Sequence, residues 1–553
     1  MVPRDDDARF AALRRLRARA GAAAGRVKCA ASAVVADTRL VLNRPVRETI
    51  LVVASVALMI WAFKLLNNQY LYAEFGHDEQ YFVWCGWSIT KGLIPYRDFS
   101  EYKPPIGFLT HALALALHGF RDLKFRWFFF YFPLASLISL YFAMLSRKID
   151  KLAALALVLG IMHVFMNHYF HDTALSDTES IGLTYYFFGV ACLIARTRFG
   201  DKLKAVGVGL FVCCMFSKEP YMPAAFFTWI SCFLLDAKRS TLGADAKRYL
   251  KASVIGGGAV GLALCLYLIP TGGMTYYLRL VRSYARIYRD PQHSYCVMFG
   301  RFTPKDALTD LHHQWELIRA DFLNLSMLGY LLPFAALFLL FVPRKSILLA
   351  LGALLSLAGG LWAVTASKCQ WGHYYIMAMG ALFFCLLLGL DAMSERMPSV
   401  RMNRLVGWLL LAGVLVALAP RLDKEMDRTD KQTFANAYAE SVPGSLAFIA
   451  AHTKPGDRIF TSGPPGLYVQ ADRLHATRES GHLDAVLYGY PGNTDEERLS
   501  GLKAQLEKYM PKVVVIDGQY EGYAQKHINL LLLPFLKAHG YKKEGERIWL
   551  RPN

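Results

Sequence analysis

Residues 77–107 read HDEQYFVWCGWSITKGLIPYRDFSEYKPPIG, and this stretch decides the class of the chain. It follows, after about a dozen residues, a hydrophobic run at 50–66 that is long enough to cross a bilayer. Asp78 and Glu79 are adjacent carboxylates. A second cluster, Glu101, Lys103, Pro104 and Pro105, leads into another apolar run. Acids at a membrane surface are too costly to desolvate unless they serve something polar. The pattern predicts a membrane enzyme with its site at the lipid–water boundary.

Composition agrees. Hydrophobic residues are 54% and charged residues 19% of the 553, and apolar runs recur from residue 50 to residue 420. The expected fold is an α-helical polytopic membrane protein of about eleven transmembrane helices plus juxtamembrane helices, with a small C-terminal periplasmic α/β domain. The spans fall at 50–66, 127–145, 152–166, 181–195, 205–216, 221–235, 252–270, 326–342, 346–366, 373–390 and 405–420. The run Ile106–Phe120 is too short for a span and reads as a juxtamembrane helix. Counting it as a span would also break the alternation of the loops.

That alternation is written in charge. The tail of residues 1–49 carries Arg14, Arg15, Arg17, Arg19, Arg26 and Lys28, and every second loop is basic. These loops hold Arg147/Lys148/Lys151, Arg196/Arg198/Lys202/Lys204, Lys238/Arg239/Lys247/Arg248, Arg344/Lys345 and Arg396/Arg401/Arg404. The positive-inside rule makes them cytoplasmic, with the N-terminus inside and the C-terminus outside in a bacterial inner membrane. The net charge of +19 is then mostly a topology signal and needs no nucleic-acid partner. No cleavable signal peptide is visible, and the tail reads as an amphipathic helix on the anionic inner leaflet.

Three regions are assigned outside the bilayer: the first outer loop at 67–126, a long loop at 271–325 and a soluble α/β domain at 421–553. The soluble domain reads as a helix near 443–452, strands at Asp457–Thr461 and Gly466–Gln470, and a helix at Asp495–Tyr509. A strand at Lys512–Asp517, a helix at Asn529–Ala538 and a strand at Glu546–Leu550 complete it. Its run Ser462-Gly-Pro-Pro-Gly466 lacks the lysine of a phosphate loop and reads as a turn. Gly256–Gly258, inside a span, reads as a site of close helix packing.

The Asp-Glu pair of the first outer loop, the PYRDF segment and the KPP box resemble the GT-C membrane glycosyltransferases that use polyprenyl-phosphate sugars. These include protein O-mannosyltransferases, aminoarabinose–lipid A transferases and a galacturonosyltransferase-like group. The resemblance covers roughly residues 50–420 and implies a GT-C transmembrane catalytic domain. It carries a catalytic base onto Asp78, with Glu79 beside it and a second acid in the next outer loop at Asp177. The aminoarabinose enzymes place Glu directly before KPP; here that position is Tyr102 and the acid is Glu101.

The chemistry fits these residue types. A polyprenyl phosphate is already a good leaving group, so transfer needs a carboxylate to take the acceptor proton and cations to hold the departing charge. Lys103, Lys218, Arg282, Arg286 and Arg301 are the candidate cations; the plainer reading of Lys218 is an ion pair with Glu219. His373 and Tyr374 stand where they can line a sugar site or an aromatic belt. No cofactor is required; a divalent metal ion, if one binds, has His163, His168, His171 and Asp172 as its candidate ligands, although histidines there are more often interfacial. The expected partners are a polyprenyl-phosphate sugar donor, a periplasmic glycan or glycolipid acceptor and the lipid bilayer. A protein acceptor is the alternative. A transporter would place ionisable groups near the midplane and show related halves, and neither is visible here.

Overall fold

The structure is a computed structural model that describes residues 44–72, 77–101, 103–120, 124–165, 175–237, 240–289, 325–366, 375–397, 399–429, 442–463, 465–478, 495–516 and 523–552. Lipid offers no partner to a backbone N–H or C=O, so apolar runs must close their hydrogen bonds internally as helices. A helix lies over each of the eleven apolar segments. They are α1 (Arg44–Tyr72), α4 (Phe125–Ser146), α5 (Lys151–Phe165), α6 (Thr178–Ile194), α7 (Gly200–Met215), α8 (Tyr221–Asp236), α9 (Leu242–Leu268), α11 (Leu325–Lys345), α12 (Ile347–Ala366), α13 (Tyr375–Arg396) and α14 (Val400–Thr429). Among the described residues, five helices are long and apolar enough to cross a membrane: Pro45–Asn67, Phe125–Ser146, Leu242–Leu268, Ala378–Arg396 and Val400–Ala419. Residues 44–56, a unit by themselves, form the first turns of α1, where Thr49 and Ser55 bond back to the carbonyls of Pro45 and Leu51.

Burial separates inner from outer helices. The apolar window of α13 is 83% buried and that of α9 only 22%, so α13 is a centre of the bundle and α9 presents Val254, Leu262 and Leu266 outward. Outward apolar faces of that extent are what lipid covers. Gly256 lets α9 approach α7: a Cβ there would lie 1.8 Å from the Ala205 carbonyl oxygen.

The basic loops meet at one end of the bundle. Arg147, wholly buried, pairs with Asp391 at 2.6 Å and Asp236 at 3.0 Å, and donates to the Ile194 carbonyl at 3.2 Å. Lys345 joins through Asp391 at 2.8 Å and Glu395 at 2.7 Å, and Arg404 pairs with Asp150 at 2.9 Å. Arg248 faces Asp201 at 3.7 Å. Part of the loop charge is thus structural, because a buried guanidinium must be paired.

The opposite end carries α2 (His77–Thr90), α3 (Pro105–His118) and α10 (Gly273–Arg289). At the start of α3, the Ile106 amide bonds the Phe216 carbonyl at the end of α7, and Gly107 abuts Thr178 at the start of α6. Beyond its last turn, Phe120 stacks on Phe125 at the start of α4, 6.0 Å between centroids. Both ends of this helix, about 21 Å long, touch the same end of the bundle, so it lies across that end. Residues 273–289 add an element within the segment assigned between spans. They are helical, and Arg279, Arg282, Arg286 and Arg289 recur at helical spacing along the sequence.

The C-terminal part contains α15 (Ser445–His452), β1 (Arg458–Thr461), α16 (Gly466–Ala471), β2 (Leu474–His475), α17 (Asp495–Tyr509), β3 (Val513–Val515), α18 (Tyr523–Ala538), β4 (Lys542–Lys543) and β5 (Ile548–Leu550). The sheet order is β2-β1-β3-β5-β4, with β1 parallel to β2 and β3 and the β3–β5 and β5–β4 pairs antiparallel. Gly466–Gln470 is helical rather than a strand: Tyr468 folds back to accept from the Thr461 amide at 3.0 Å, and the chain pairs with β1 only from Leu474. Phe460, Val514, Leu502, Leu506, Leu532 and Leu536 form the core between sheet and helices.

Candidate functional site

The first turn of α2 holds Asp78 and Glu79. The Asp78 side chain lies outside the described residues. Glu79 is buried, and both its oxygens are engaged: Arg126 reaches Oε2 at 2.6 Å and Oε1 at 3.2 Å, while Tyr70 and Ser176 donate to Oε1 at 3.1 and 3.0 Å. A buried carboxylate with this many donors is neutralised in place. Glu79 therefore ties α1, α2, α4 and the 175–177 turn together. Asp177, buried at the head of α6, follows Ser176 directly and so comes within a residue of this network.

The PYRDF segment forms a tight turn. The Ile94 amide donates to Asp98 at 2.8 Å, and Arg97 grips the same carboxylate at 2.7 Å and the Thr271 carbonyl at 3.2 Å. Burial opposes the charge on Asp98, but Arg97 and the Ile94 amide outweigh it and hold the carboxyl below its usual range. Tyr96 is buried at φ 67, a conformation costly for an aromatic residue. Its hydroxyl donates to the Lys103 carbonyl at 2.8 Å, and its ring lies 4.7 Å from that of Tyr277 on α10.

Glu101 is buried and accepts the Lys103 amide at 3.0 Å; the Lys103 ammonium sits 4.2 Å from the centre of the Phe82 ring. Tyr102 lies outside the described residues. In the α7–α8 turn, Lys218 is buried and pairs with Glu179 at 2.6 Å, not with its neighbour Glu219. Thr178 donates to the same carboxylate at 2.8 Å, and Tyr221 to the Glu179 carbonyl at 2.7 Å. Glu219 is solvent-exposed, yet enclosure by protein raises its carboxyl, and Glu101 and Lys103 act on its charge in opposite senses.

Glu79, Glu101, Lys103, Asp177 and Lys218 thus share one end of the bundle. Arg282 is exposed on α10, and Arg286 belongs to the same helix with its side chain outside the described residues. Arg301, His373, Tyr374, His168, His171 and Asp172 also lie outside them. His163 is buried at the end of α5, and among the described residues no three His, Cys, Asp or Glu side chains gather as a metal site. Arg126 and Tyr70 are not singled out in the sequence, and Glu219 is named there only as an ion-pair partner for Lys218. The signal available for Arg126 was a lone cation heading an apolar helix.

No protein-family profile matches the chain, and no curated protein matches it. Among solved structures it is similar to the oligosaccharyltransferase of Archaeoglobus fulgidus. The apo form is 11% identical, with 83% of this chain and 69% of that chain covered, at TM-score 0.45. The complex with Zn and sulfate is 12% identical, with 89% and 73% covered, at TM-score 0.45. The archaeal oligosaccharyltransferase AglB of the same organism, in complex with an inhibitory peptide and a dolichol-phosphate, is 12% identical with 90% and 74% covered, at TM-score 0.42. At such identities and TM-scores the likeness transfers neither a substrate nor a residue role.

Proposed function

We propose that the chain is an integral-membrane glycosyltransferase that moves a sugar from a polyprenyl-phosphate donor to an acceptor hydroxyl of a periplasmic glycan or glycolipid. The observation that carries this reading is the gathering of Glu79, Glu101, Lys103, Asp177, Lys218 and Glu219 at one end of an apolar helix bundle, from four segments distant in sequence. A transporter would hold such groups at mid-depth. The basic loops share the other end, and the positive-inside rule assigns that end to the cytoplasm.

In the proposed reaction the acceptor oxygen bonds to the anomeric carbon as the bond from that carbon to the phosphate oxygen breaks. The bonding pair leaves on the phosphate, and the hydroxyl proton passes to Asp78. Lys103 and the arginines Arg282, Arg286 and Arg301 offset the departing charge. Glu79, clamped by Arg126, fixes the helical turn that carries Asp78. Asp177 sits beside that turn as the second acid, Lys218 acts through its pair with Glu179, and His373 and Tyr374 line the sugar.

The test is transfer by the purified protein in lipid nanodiscs. Asp78→Asn keeps size and hydrogen bonding but removes the base, and should lower turnover by about a hundredfold with normal expression. Near wild-type turnover by that variant, or efficient transfer from a nucleotide sugar without lipid carrier, would sink the reading.

A further inference from the structure

The end of the bundle that carries the basic loops holds a cavity of about 360 Å³, large enough for a small polar head group. Two segments distant in sequence form it. The α6–α7 loop and the first turn of α7 supply Arg198, Phe199, Asp201 and Lys202, and α9 supplies Arg248. Three cations and one carboxylate thus line it, and positive charge is in excess. Arg147, Lys345 and Arg404 at this end have carboxylates within 3.0 Å. Arg248 and Asp201 instead stand 3.7 Å apart and largely in solvent, where a pair is worth little. The Arg198 guanidinium rests 4.8 Å from the centre of the Phe199 ring, a contact that orients it without neutralising it.

The surface leading away from the cavity is apolar. Asp201 faces Arg248, Ala205 abuts Gly256 and Gly209 abuts Val260, so α7 and α9 run side by side in one direction. On α7, Val206 follows Lys202 by four residues and shares its face; on α9, Ile255 and Leu262 follow Arg248 by seven and fourteen and share its face. These three side chains are 52%, 54% and 60% exposed. Arg248 and Leu262 are separated by about 21 Å of helix, more than one leaflet's half of a hydrocarbon core about 30 Å thick. The cationic cavity therefore stands at the head of apolar stripes long enough to accompany an acyl chain.

We infer that this cavity binds an anionic phospholipid of the surrounding bilayer, with Arg198, Lys202 and Arg248 holding its phosphate and its acyl chains lying along Val206, Ile255 and Leu262. Guanidinium groups match phosphate oxygens in charge and geometry, and basic pockets between membrane helices suit anionic head groups. A zwitterionic lipid would bring an ammonium against three cations, and a soluble phosphate would leave the apolar stripes unused. The site lies at the opposite end of the bundle from Glu79 and Lys103 and does not depend on the glycosyl-transfer reading.

The experiment places the full chain in nanodiscs of equal parts phosphatidylglycerol and phosphatidylcholine, releases it in the mass spectrometer and identifies the lipid it retains. The wild type should retain phosphatidylglycerol preferentially. Arg198→Gln and Arg248→Gln should each lower that preference about fivefold, the value of one cation near an anionic surface, and together by about the product. Asp201→Asn removes the lining carboxylate and should raise the preference, a gain that misfolding does not produce. Arg401→Gln, an exposed cation on α14 outside the cavity, should change it less than about twofold, because salt screens distant charges. Equal retention of the two lipids, an unchanged preference in the double variant, a fall in Asp201→Asn, or an equal loss in Arg401→Gln overturns the inference. Displacement of the lipid by an equal concentration of inorganic phosphate would assign the cavity to a free anion and overturn it as well.

Discussion

Glu79 and Arg126 illustrate how a residue beside the proposed base can matter through structure. Their 2.6 Å pair is almost fully buried, and Tyr70 and Ser176 complete it. Glu79→Gln leaves a buried guanidinium without its counter-charge, which should cost about 3–5 kcal/mol. The double variant Glu79→Gln/Arg126→Met should recover much of that loss. Thermal unfolding in detergent checks both, and equal stability of the single and double variants would show that the two residues are not coupled. Asp78, Glu79 and Lys103 stand out in the sequence because acids and cations in apolar surroundings announce themselves. The same sequence could not pair Lys218 with Glu179, since that partner is 39 residues away and Glu219 is next door.

At the scale of elements, apolar runs were readable because lipid leaves the backbone no alternative to helix. The failures came where that constraint lapses. Helix α10 alternates Tyr, Leu and Arg in a way that scores as polar loop unless its helical period is followed, and Leu467-Tyr-Val469 has strand-forming residues in a helical turn. The glycines of α9 supply a graded test. A Cβ at Gly256 would meet the Ala205 carbonyl at 1.8 Å, whereas at Gly258 it would meet nothing within 4 Å. Gly256→Ala should part α9 from α7 and cost about 1–3 kcal/mol. Gly258→Ala should be neutral or stabilising by up to about 1 kcal/mol, because alanine is the better helix former. Thermal inactivation of the two variants decides it; equal losses would mean that the close approach is not there.

Across the whole molecule, the C-terminal part with its sheet is fastened to the first loop. The Ser100 amide bonds the Arg478 carbonyl at 2.7 Å, Lys91 pairs with Asp472 at 2.6 Å, and the Arg478 guanidinium bonds the Tyr96 carbonyl and lies over the Tyr276 ring. Within this joint His475 is buried 5.1 Å from Trp84, and burial pushes its imidazole down to about 4 from 6.5. Between those values the unfolded chain binds the proton and the docked domain does not, so the stability due to neutral His475 is complete above pH 6.5 and is lost as pH falls toward 4, by up to about 3 kcal/mol. Limited proteolysis should release the domain increasingly over that window, and His475→Phe should flatten the dependence. A wild-type profile without that rise would mean that His475 is not shielded.

The ion network at the other end has a consequence for how the chain is made. Arg147 ends the fourth helix, yet its main counter-charge, Asp391, is synthesised 244 residues later, and Lys345 is threaded between them in time. Until ribosomes have delivered residue 391, the early helices carry a guanidinium held only by Asp236 and the Ile194 carbonyl, so its burial is incompletely compensated and that end stays loosely closed. The last third of the polypeptide thus acts as the latch on the first. Nascent chains halted before Asp391 should remain protease-sensitive around Arg147, and those halted after it should abruptly become resistant.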